Sequence, residues 1–464
     1  MGSVSTISIP LKTEKWQEDV LFRRFEVCRS IYNAMLGYEL KQYQKLTTLN
    51  LYKDSKNIIN SAYKVETEKE KKKIKASAEY KEAVKVQKEL LREFGFSEFQ
   101  FGAAAIKHSE HFRGIIPTML AQRSIGASMW RAFEKLLFGN GETVHFKKYD
   151  TWNSIVTDGK SGIRIVSEDN KTTKKMDSSK KYYCLYSVKQ GKNLKMPLKI
   201  DKKDLYLLEM AERDIHTVRI TRKKVNGTYK YYVQLSVTGA PAIKYDVHGK
   251  ELHPVGDAKI GVYIDTTSIT IATKNGFSVI DIRIRNDIEE KIAEINRYLD
   301  NSRRANNPDN FNEDGTIKKG NIVEGKRVRL NWKNSNSYNK ARNKKANLQR
   351  IQAEQRKIRA NKIANEIMAM GSDIIINDYP FQAAAMRKTF EEGDEKDEKG
   401  RYKKRSKAGK AIGENSPAMI VSILDTKLKG RGYAGVTKKK LTNVDYSKEE
   451  YRKFYASELL RELS

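Results

Sequence analysis

Asp265 is the acidic residue whose surroundings are most suggestive of chemistry. It stands in Gly261-Val-Tyr-Ile-Asp265-Thr-Thr-Ser-Ile-Thr-Ile-Ala272-Thr273-Lys-Asn-Gly276, where apolar residues on both sides read as a strand, a tight turn and a second strand. A carboxylate held there is an oxygen ligand for Mg²⁺. Phosphodiester cleavage by two metal ions about 4 Å apart needs several such carboxylates, which together activate water and stabilise the leaving oxygen. Other chemistries have thinner support. The six histidines include no HExxH, and the closest pair, His108-Ser-Glu-His111, has a spacing common in helices that bind no metal. Cys28 and Cys184 are the only cysteines and lie far apart, so neither a disulfide framework nor a cysteine-type zinc site is expected.

The second chemical signal is charge. The 464 residues carry 90 Lys+Arg against 58 Asp+Glu, a formal net charge of +32. Such an excess repels itself in a compact chain, and a polyanion relieves the repulsion. The densest block is Lys318–Lys362, with 15 Lys+Arg and only Glu324 and Glu354 as acids, hence 15 − 2 = +13 over 45 residues. A merely solvated helix face mixes signs for i,i+4 support, whereas this one is nearly pure. Trp332 and Tyr338 lie inside it and offer surfaces for base stacking. Lys326, Arg327, Arg329, Lys340, Arg342, Lys344, Lys345, Arg350, Arg356 and Arg359 are its candidate nucleic-acid contacts. No base-reading motif is visible, so composition alone supports backbone binding without side-chain readout of sequence.

The elements that must position these groups follow from periodicity. Val4–Leu11 reads as a strand. From about Trp16 to Gly139 the pattern is helical, with Leu21, Phe22, Phe25, Cys28, Ile31, Tyr32 and Met35 recurring at three and four. A later helix carries Met119, Leu120, Arg123, Met129, Trp130, Phe133 and Leu136. The charge run Glu66–Lys75 is read as a solvated helix face or connection. From Glu142 to about Val255 the texture is β, and KKVNGTYKYYVQL around Asn226-Gly227 is a hairpin. Pro254-Val-Gly256 marks a boundary. Beyond it come the strand pair around Asp265, a helix over Asp287–Leu299 and a basic loop over Arg303–Asn336. A long helix over Lys340–Met370 follows, with Leu348, Ile351, Ile358, Ile363, Ile367 and Met368 on its apolar side. After it come a buried strand over Asp373–Asp378, a charged loop over Glu391–Lys410 and a helix over Pro417–Gly430. Hairpin, long helix and buried strand suggest an RNase H-like fold. No apolar run reaches the roughly 18 residues a membrane span needs, and Met1–Pro10 lacks the pattern of a secretory signal. The amino-terminal Met1-Gly2-Ser3-Val4-Ser5-Thr6 formally fits a myristoylation pattern, one short enough to occur often by chance.

The residues around Asp265 resemble the transposon-encoded TnpB proteins and the compact type V CRISPR effectors. In that family a hydrophobic strand ends in the first acid of a RuvC nuclease, and an Ala-Thr pair follows on the return strand, as Asp265 and Ala272-Thr273 do here. The segment Arg303-Arg304-Ala-Asn-Asn-Pro-Asp309-Asn310 through Lys318-Lys319-Gly320 is similar to one branch of these proteins. The resemblance covers most of the chain and is strongest over Gly261–Gly371. It implies a multidomain α+β architecture: a wedge strand (1–12), an inserted helical recognition domain (13–140), a β-barrel wedge domain (141–256) and an RNase H-like, RuvC-type α/β domain (257–464).

The departures from the family carry as much as the match. Its second acid is a Glu in a strand reading roughly I-E-D-L, and here Ile376-Asn377-Asp378-Tyr379 puts Asn377 in that place. Active relatives then have a zinc ribbon or its remnant and a final catalytic Asp. The chain has no cysteines for the ribbon, and an alignment of Arg452-Lys453-Phe454-Tyr455 puts Lys453 at the last acid; Asp445 is the other late carboxylate, in unlike surroundings. The resemblance therefore implies the nuclease-dead, TldR-like branch, with vestigial positions Asp265, Asn377 and Lys453, no functional Mg²⁺ pair and no zinc.

The implied function is RNA-guided DNA binding that represses transcription through an R-loop at a promoter, in the bacterial nucleoid and away from membranes. A guide RNA and double-stranded DNA with a short adjacent motif are the implied partners. Arg123, Arg131, Lys147 and Lys148 are candidates for the motif-proximal surface, and Arg303 and Arg304 with the Lys340–Arg359 helix for guide or heteroduplex backbone. The alternatives are an RNA-guided endonuclease with a rearranged site, a general RNA-binding protein of transposon origin, and a guided recruiter of another factor.

Overall fold

The computed structural model describes residues 4–65, 67–139, 141–177, 179–284, 287–320, 322–323, 326–385, 407–441, 444 and 450–463; the side chains of residues 68, 322–323, 326–327 and 407 are outside this description. The chain divides into two units, Met1–Lys224 with Tyr229–Ala242, and Val225–Thr228 with Ile243–Ser464. Among the described residues no helix is long and apolar enough to cross a membrane.

The first unit opens with β1 (Val4–Pro10), which buries every second side chain, Ser5, Ile7 and Ile9. The 34-residue α1 (Lys15–Thr48) follows. Glu14 and Gln17 close a capping box at its start. Its Leu21, Phe25, Cys28, Tyr32 and Met35, spaced at three and four, are buried. Then come α2 (Asn50–Ser61), α3 (Glu68–Ala76), α4 (Ala78–Glu93) and α5 (Glu98–His108). Thr67, Ser77 and Ser97 cap the last three by accepting a backbone N–H three residues on. The expected helix around Arg123 is three pieces: a single turn α6 (Thr118–Leu120), a π-helical stretch Ala121–Gly126, and α7 (Ala127–Phe138). Phe133 is fully buried, and Trp130 packs at the edge of the same core.

The strands of this unit are β2 (Ser154–Thr157), β3 (Ile163–Ser167), β4 (Tyr182–Tyr186), β5 (Leu194–Pro197), β6 (Ile215–Val225) and β7 (Thr228–Thr238), with α8 (Leu205–Ala211) before β6. Asn226 and Gly227, both at positive φ, make the two-residue turn between β6 and β7 that the sequence signals. The expected β-barrel is corrected. Among the described residues the strands form an open sheet ordered β1-β7-β6-β2 and a separate sheet β3-β4-β5. A single bridge, Leu11 to Leu198, joins them; β1 and β2 stay edge strands, so the ladder does not close.

The second unit is built on a five-stranded sheet ordered β10-β9-β8-β13-β14. β8 (Ala258–Ile264), β9 (Ser268–Thr273) and β10 (Gly276–Asp281) form an antiparallel meander. α9 (Ile288–Asn306) follows, then a 3₁₀ turn at Pro308–Asn310 and a two-stranded ribbon of β11 (Ile322–Val323) and β12 (Lys326–Arg327). The 35-residue α10 (Asn336–Met370) carries the chain to β13 (Gly371–Asn377), which pairs parallel with β8. A parallel partner requires such a crossover. α11 (Phe381–Ala385), α12 (Lys407–Asn415) and α13 (Pro417–Gly430) precede β14 (Val436–Lys439), parallel to β13, and α14 (Tyr451–Arg461) comes last.

Helix–sheet packing explains where the sequence reading differs. Only the last third of α10 is buried, through Ala360, Ile363, Ala364, Ile367 and Met368, which meet Leu424 of α13 and Ile260, Val262, Ile374 and Ile376 of the sheet. Ile358, expected on the apolar side, is 70% exposed because at 3.6 residues per turn it stands on the face of α10 opposite Ala360, Ile363 and Ile367. Arg303 and Arg304, expected in a loop, form the last turn of α9, which runs past Leu299 to Asn306. Lys407–Lys410, expected in the charged loop, begin α12, and residues 391–406 of that loop lie outside the described residues. The other face of the sheet is covered by α14, where Tyr263, Ala272, Tyr455 and Ala456 form a small core. Gly261 makes this possible. Any Cβ there would collide with the backbone carbonyl of Ala456 and the backbone of Leu460. Fully burying a side chain such as Leu459 of α14 contributes about 1.5–3 kcal/mol.

Candidate nucleic-acid interface and the Asp265 site

Asp265 follows the last residue of β8 and is 7% exposed. Its Oδ1 accepts hydrogen bonds from the backbone N–H groups of Thr267 (2.7 Å) and Ser268 (2.8 Å), which fixes the turn into β9. Its Oδ2 accepts from Nε of Arg452 at 2.7 Å. Arg452 stands in the first turn of α14. Burial pulls its pKa down, but the Asp265 carboxylate and the neighbouring Tyr451 more than offset this, so the guanidinium holds its proton more firmly than usual. Lys453, expected at the last acid position, pairs with Glu450 instead. Asp445 lies outside the described residues.

Asn377 ends β13 and is likewise buried. Because β13 lies parallel to β8, its side chain reaches the backbone of Ile264. The Ile264 N–H donates to Oδ1 (2.7 Å), and Nδ2 donates to the Ile264 carbonyl (2.9 Å). The amide thus extends the ladder by one reciprocal pair. Asp378 is exposed, and its backbone N–H bonds the Lys439 carbonyl. It lines a cavity of about 340 Å³ with Asn377, Asp425, Lys429 and Lys438. Asn415 donates to the Thr266 carbonyl (2.7 Å) and accepts from the Ile284 N–H (3.2 Å), tying α12 to the Asp265 turn. Sequence reasoning passed over Arg452 and Asn415. The signal for Arg452 was its place directly before Lys453, which the resemblance aligns with the family's last acid. Asn415 left none, because its partners are backbone groups distant in sequence. Among the described residues no group of three or more His, Cys, Asp or Glu is placed to hold a metal.

The basic candidates separate by what they already touch. Lys340, Arg342 and Lys344, in the first turns of α10, are exposed, as is Arg329; Lys345 is half-buried. Arg350 is spent on Glu354 (2.6 Å) and Asn347 (3.1 Å). Arg359 donates to the Asp281 carbonyl at 2.8 Å, and the Nε groups of Arg356 and Arg359 are buried without a partner. Arg303 stacks on Trp332 with 3.6 Å to the ring centroid, so one face of that indole is covered. Arg304 binds Asp300 (2.8 Å) and the Gly315 carbonyl (2.8 Å) and lies over Phe311. The buried Asn307 bonds both the carbonyl and the N–H of Lys333. Arg303 and Arg304 therefore brace the segment between α9 and α10. The side chains of Lys326 and Arg327 are outside the description.

In the first unit Arg123, Arg131, Lys147 and Lys148 are all exposed. The backbone of Lys147 is clamped by Asn33, which accepts from its N–H (2.8 Å) and donates to its carbonyl (2.9 Å). Burial and, after it, the positive charge of Arg131 hold the pKa of Arg219 down. Arg222 contrasts with them. Its side chain is fully buried, lies 4.5–5.1 Å from the ring centroids of Phe22, Phe25 and Tyr229, and sits 3.2 Å from Asp150 and 3.6 Å from Glu26. It is a structural cation joining α1, β6 and β7.

No family model matches the chain, and no curated protein does. Among solved structures, a cryo-EM structure of a Cas12f1–sgRNA–target DNA complex is similar at 11% identity over 99% of this chain and 98% of that one, with a TM-score of 0.44. A CRISPR–Cas12f ternary complex is similar at 12% identity over 97% of this chain and 77% of that one, with a TM-score of 0.26. A Cas12i(E894A)–crRNA–dsDNA complex matches at 9% identity over 92% of this chain and 55% of that one, with a TM-score of 0.27.

Proposed function

We propose that this chain is an RNA-guided DNA-binding protein that holds its target without cutting it and represses transcription by maintaining an R-loop over a promoter. One observation carries the reading: the Arg452–Asp265 pair beside Asn377. Two divalent ions about 4 Å apart need bridging and terminal carboxylates. Asp265 offers one carboxylate, with one oxygen engaged by backbone N–H groups and the other by a guanidinium. Asn377 is uncharged, and its amide oxygen and nitrogen are both bonded to Ile264. These residues do not fit a catalytic metal pair, and no cleavage step is derived from them.

The cationic surface is extensive, while of the family's three acids the chain keeps Asp265 alone. Lys340, Arg342 and Lys344 project from a helix arm that buries little, so their charge is available to a guide or heteroduplex backbone. Arg123, Arg131, Lys147 and Lys148, to which Arg219 is added, are assigned to duplex beside the target. The meander, long helix and parallel strand of the second unit support the RuvC-like reading of that unit. The two cysteines, Cys28 and Cys184, are buried in the first unit.

The test expresses the chain with its native flanking DNA and sequences the RNA that co-purifies. A single dominant RNA with a constant scaffold and variable 3′ end is expected, and the loaded complex binds matching duplex with no product in Mg²⁺. A diffuse RNA pool would favour a general RNA-binding role. Cutting that disappears in Asp265→Ala would establish an endonuclease instead.

A further inference from the structure

We propose that Arg452 is the resident cation of the Asp265 site and binds a phosphodiester group of the nucleic acid, so that backbone is held there without a metal ion. This rests on the nucleic-acid-binding reading above, and it assigns a role to a site that has otherwise only lost one.

The geometry is that of an oriented guanidinium. Asp265 lies beneath, with its side chain 10% exposed, while the Arg452 side chain is 42% exposed. The negative member is therefore inside and the positive member faces solvent. Arg452 donates from its Nε to Asp265, and Tyr451 also lies against the guanidinium, its ring centroid 5.3 Å away, which leaves part of the planar fork open to solvent. A guanidinium aligned by a carboxylate at one edge meets phosphate with paired, charge-assisted donors at the other. A lysine in its place would have no such fixed plane.

The support beneath Arg452 is rigid. α14 lies directly on β8 at Gly261, and Tyr263 stacks on Tyr455 with ring centroids 6.0 Å apart. Ala456 and Leu459 are fully buried. The side chain is thus presented from a packed helix and not from a mobile tail. The local field adds to it. The exposed Lys438 and Lys440 belong to or follow β14, the strand next to β13 at this end of the sheet. Lys453 has its charge met by Glu450 on the same helix end, and so serves as an internal control.

The test compares the wild type, Arg452→Gln, the doubly neutral Asp265→Asn/Arg452→Gln and Lys453→Gln. Each is titrated with a single-stranded DNA oligonucleotide and, as the guide-loaded complex, with matching duplex, across a salt series in EDTA and in Mg²⁺ at matched ionic strength. The double variant keeps a neutral pair and so separates lost affinity from misfolding, which thermal unfolding also checks. Expected are wild-type affinities equal in EDTA and Mg²⁺, and a loss of about five- to tenfold in the double variant. Its log–log salt slope should also fall by about 0.7–0.9, the loss of one phosphate contact, with Lys453→Gln unchanged. Wild-type affinity and slope in the folded double variant would overturn the proposal, as would wild-type binding that collapses in EDTA. If the loaded complex binds no matching duplex, the guided reading fails by itself, and the oligonucleotide arm still decides the role of Arg452.

Discussion

The side-chain amide of Asn377 makes two hydrogen bonds with the backbone of Ile264, one as donor and one as acceptor. A carboxylate can supply only the acceptor. Asn377→Asp would therefore leave the Ile264 carbonyl facing a buried negative charge. The expected cost is about 2–4 kcal/mol at neutral pH, smaller under acid conditions where the new carboxyl is protonated. Chemical denaturation at pH 5 and pH 8 measures it. The same difference between variant and wild type at both pH values would contradict the structural role.

On the proposed nuclease-dead reading, adding acids one at a time should not produce cutting. In Asn377→Glu, Arg452 still occupies the outer oxygen of Asp265. In Lys453→Asp, the new acid sits at a position whose present side chain turns to Glu450. No Mg²⁺-dependent product is expected from either variant with matching guide and target. A guided cleavage assay with a long time course checks this, and product from either single change would mean the site is closer to active than the geometry allows.

Gly261 is a steric requirement of α14. Adding one methyl group there forces the helix off β8 at the Ala456 carbonyl and the Leu460 backbone. Gly261→Ala should cost about 3 kcal/mol or more. Hydrogen exchange should show α14 losing protection ahead of β13 and β8, because the helix can lift without disturbing the sheet.

Charge removal on α10 should sort by existing partners. Lys340→Gln, Arg342→Gln and Lys344→Gln should each weaken nucleic-acid binding and reduce the salt slope by about one. Arg350→Gln should do less, since Arg350 is already paired with Glu354 and Asn347. Titrations at several salt concentrations distinguish these outcomes. Equal slopes across all four variants would place the interface elsewhere.

Glu39 on α1 is buried, and burial pushes its carboxyl up to about 7 from 4.5. The folded state therefore holds this proton at pH values where the unfolded chain has released it. Stability falls as pH rises from about 4.5 to about 7 and is level above, with a total on the order of 3 kcal/mol. Glu39→Gln removes that slope. It should raise stability at pH 8 and leave it unchanged below pH 4.5, as measured by thermal unfolding across a pH series. A wild-type curve without this decline would show that the carboxyl is better solvated than its burial indicates.

Much of the local structure was legible because it depends on neighbours in sequence. The three-and-four spacing from Leu21 to Met35 marked the buried face of α1, Asn226-Gly227 marked its hairpin, and Pro417–Gly430 is a helix over the expected span. Ile358 misled because it was grouped with Ile363 and Ile367, although the turn of the helix puts it on the opposite face. β14 and α14 were unreadable in advance, since a short strand and a polar terminal helix are stabilised by the sheet they pack on rather than by their own pattern.

The candidate site divides along the same line. The residue types alone determined the +32 charge, its concentration in Lys318–Lys362, the carboxylate at Asp265 and the amide at Asn377. Only the tertiary structure decided what those groups do for one another. It joins Asn377 to Ile264 across 113 residues and Arg452 to Asp265 across 187. It also turns Arg303 onto Trp332 and leaves Lys340, Arg342 and Lys344 exposed to solvent. Charge and composition are sums over the chain and survive any folding. Partnership is a matter of a few ångströms, and it is created by strand register and helix packing.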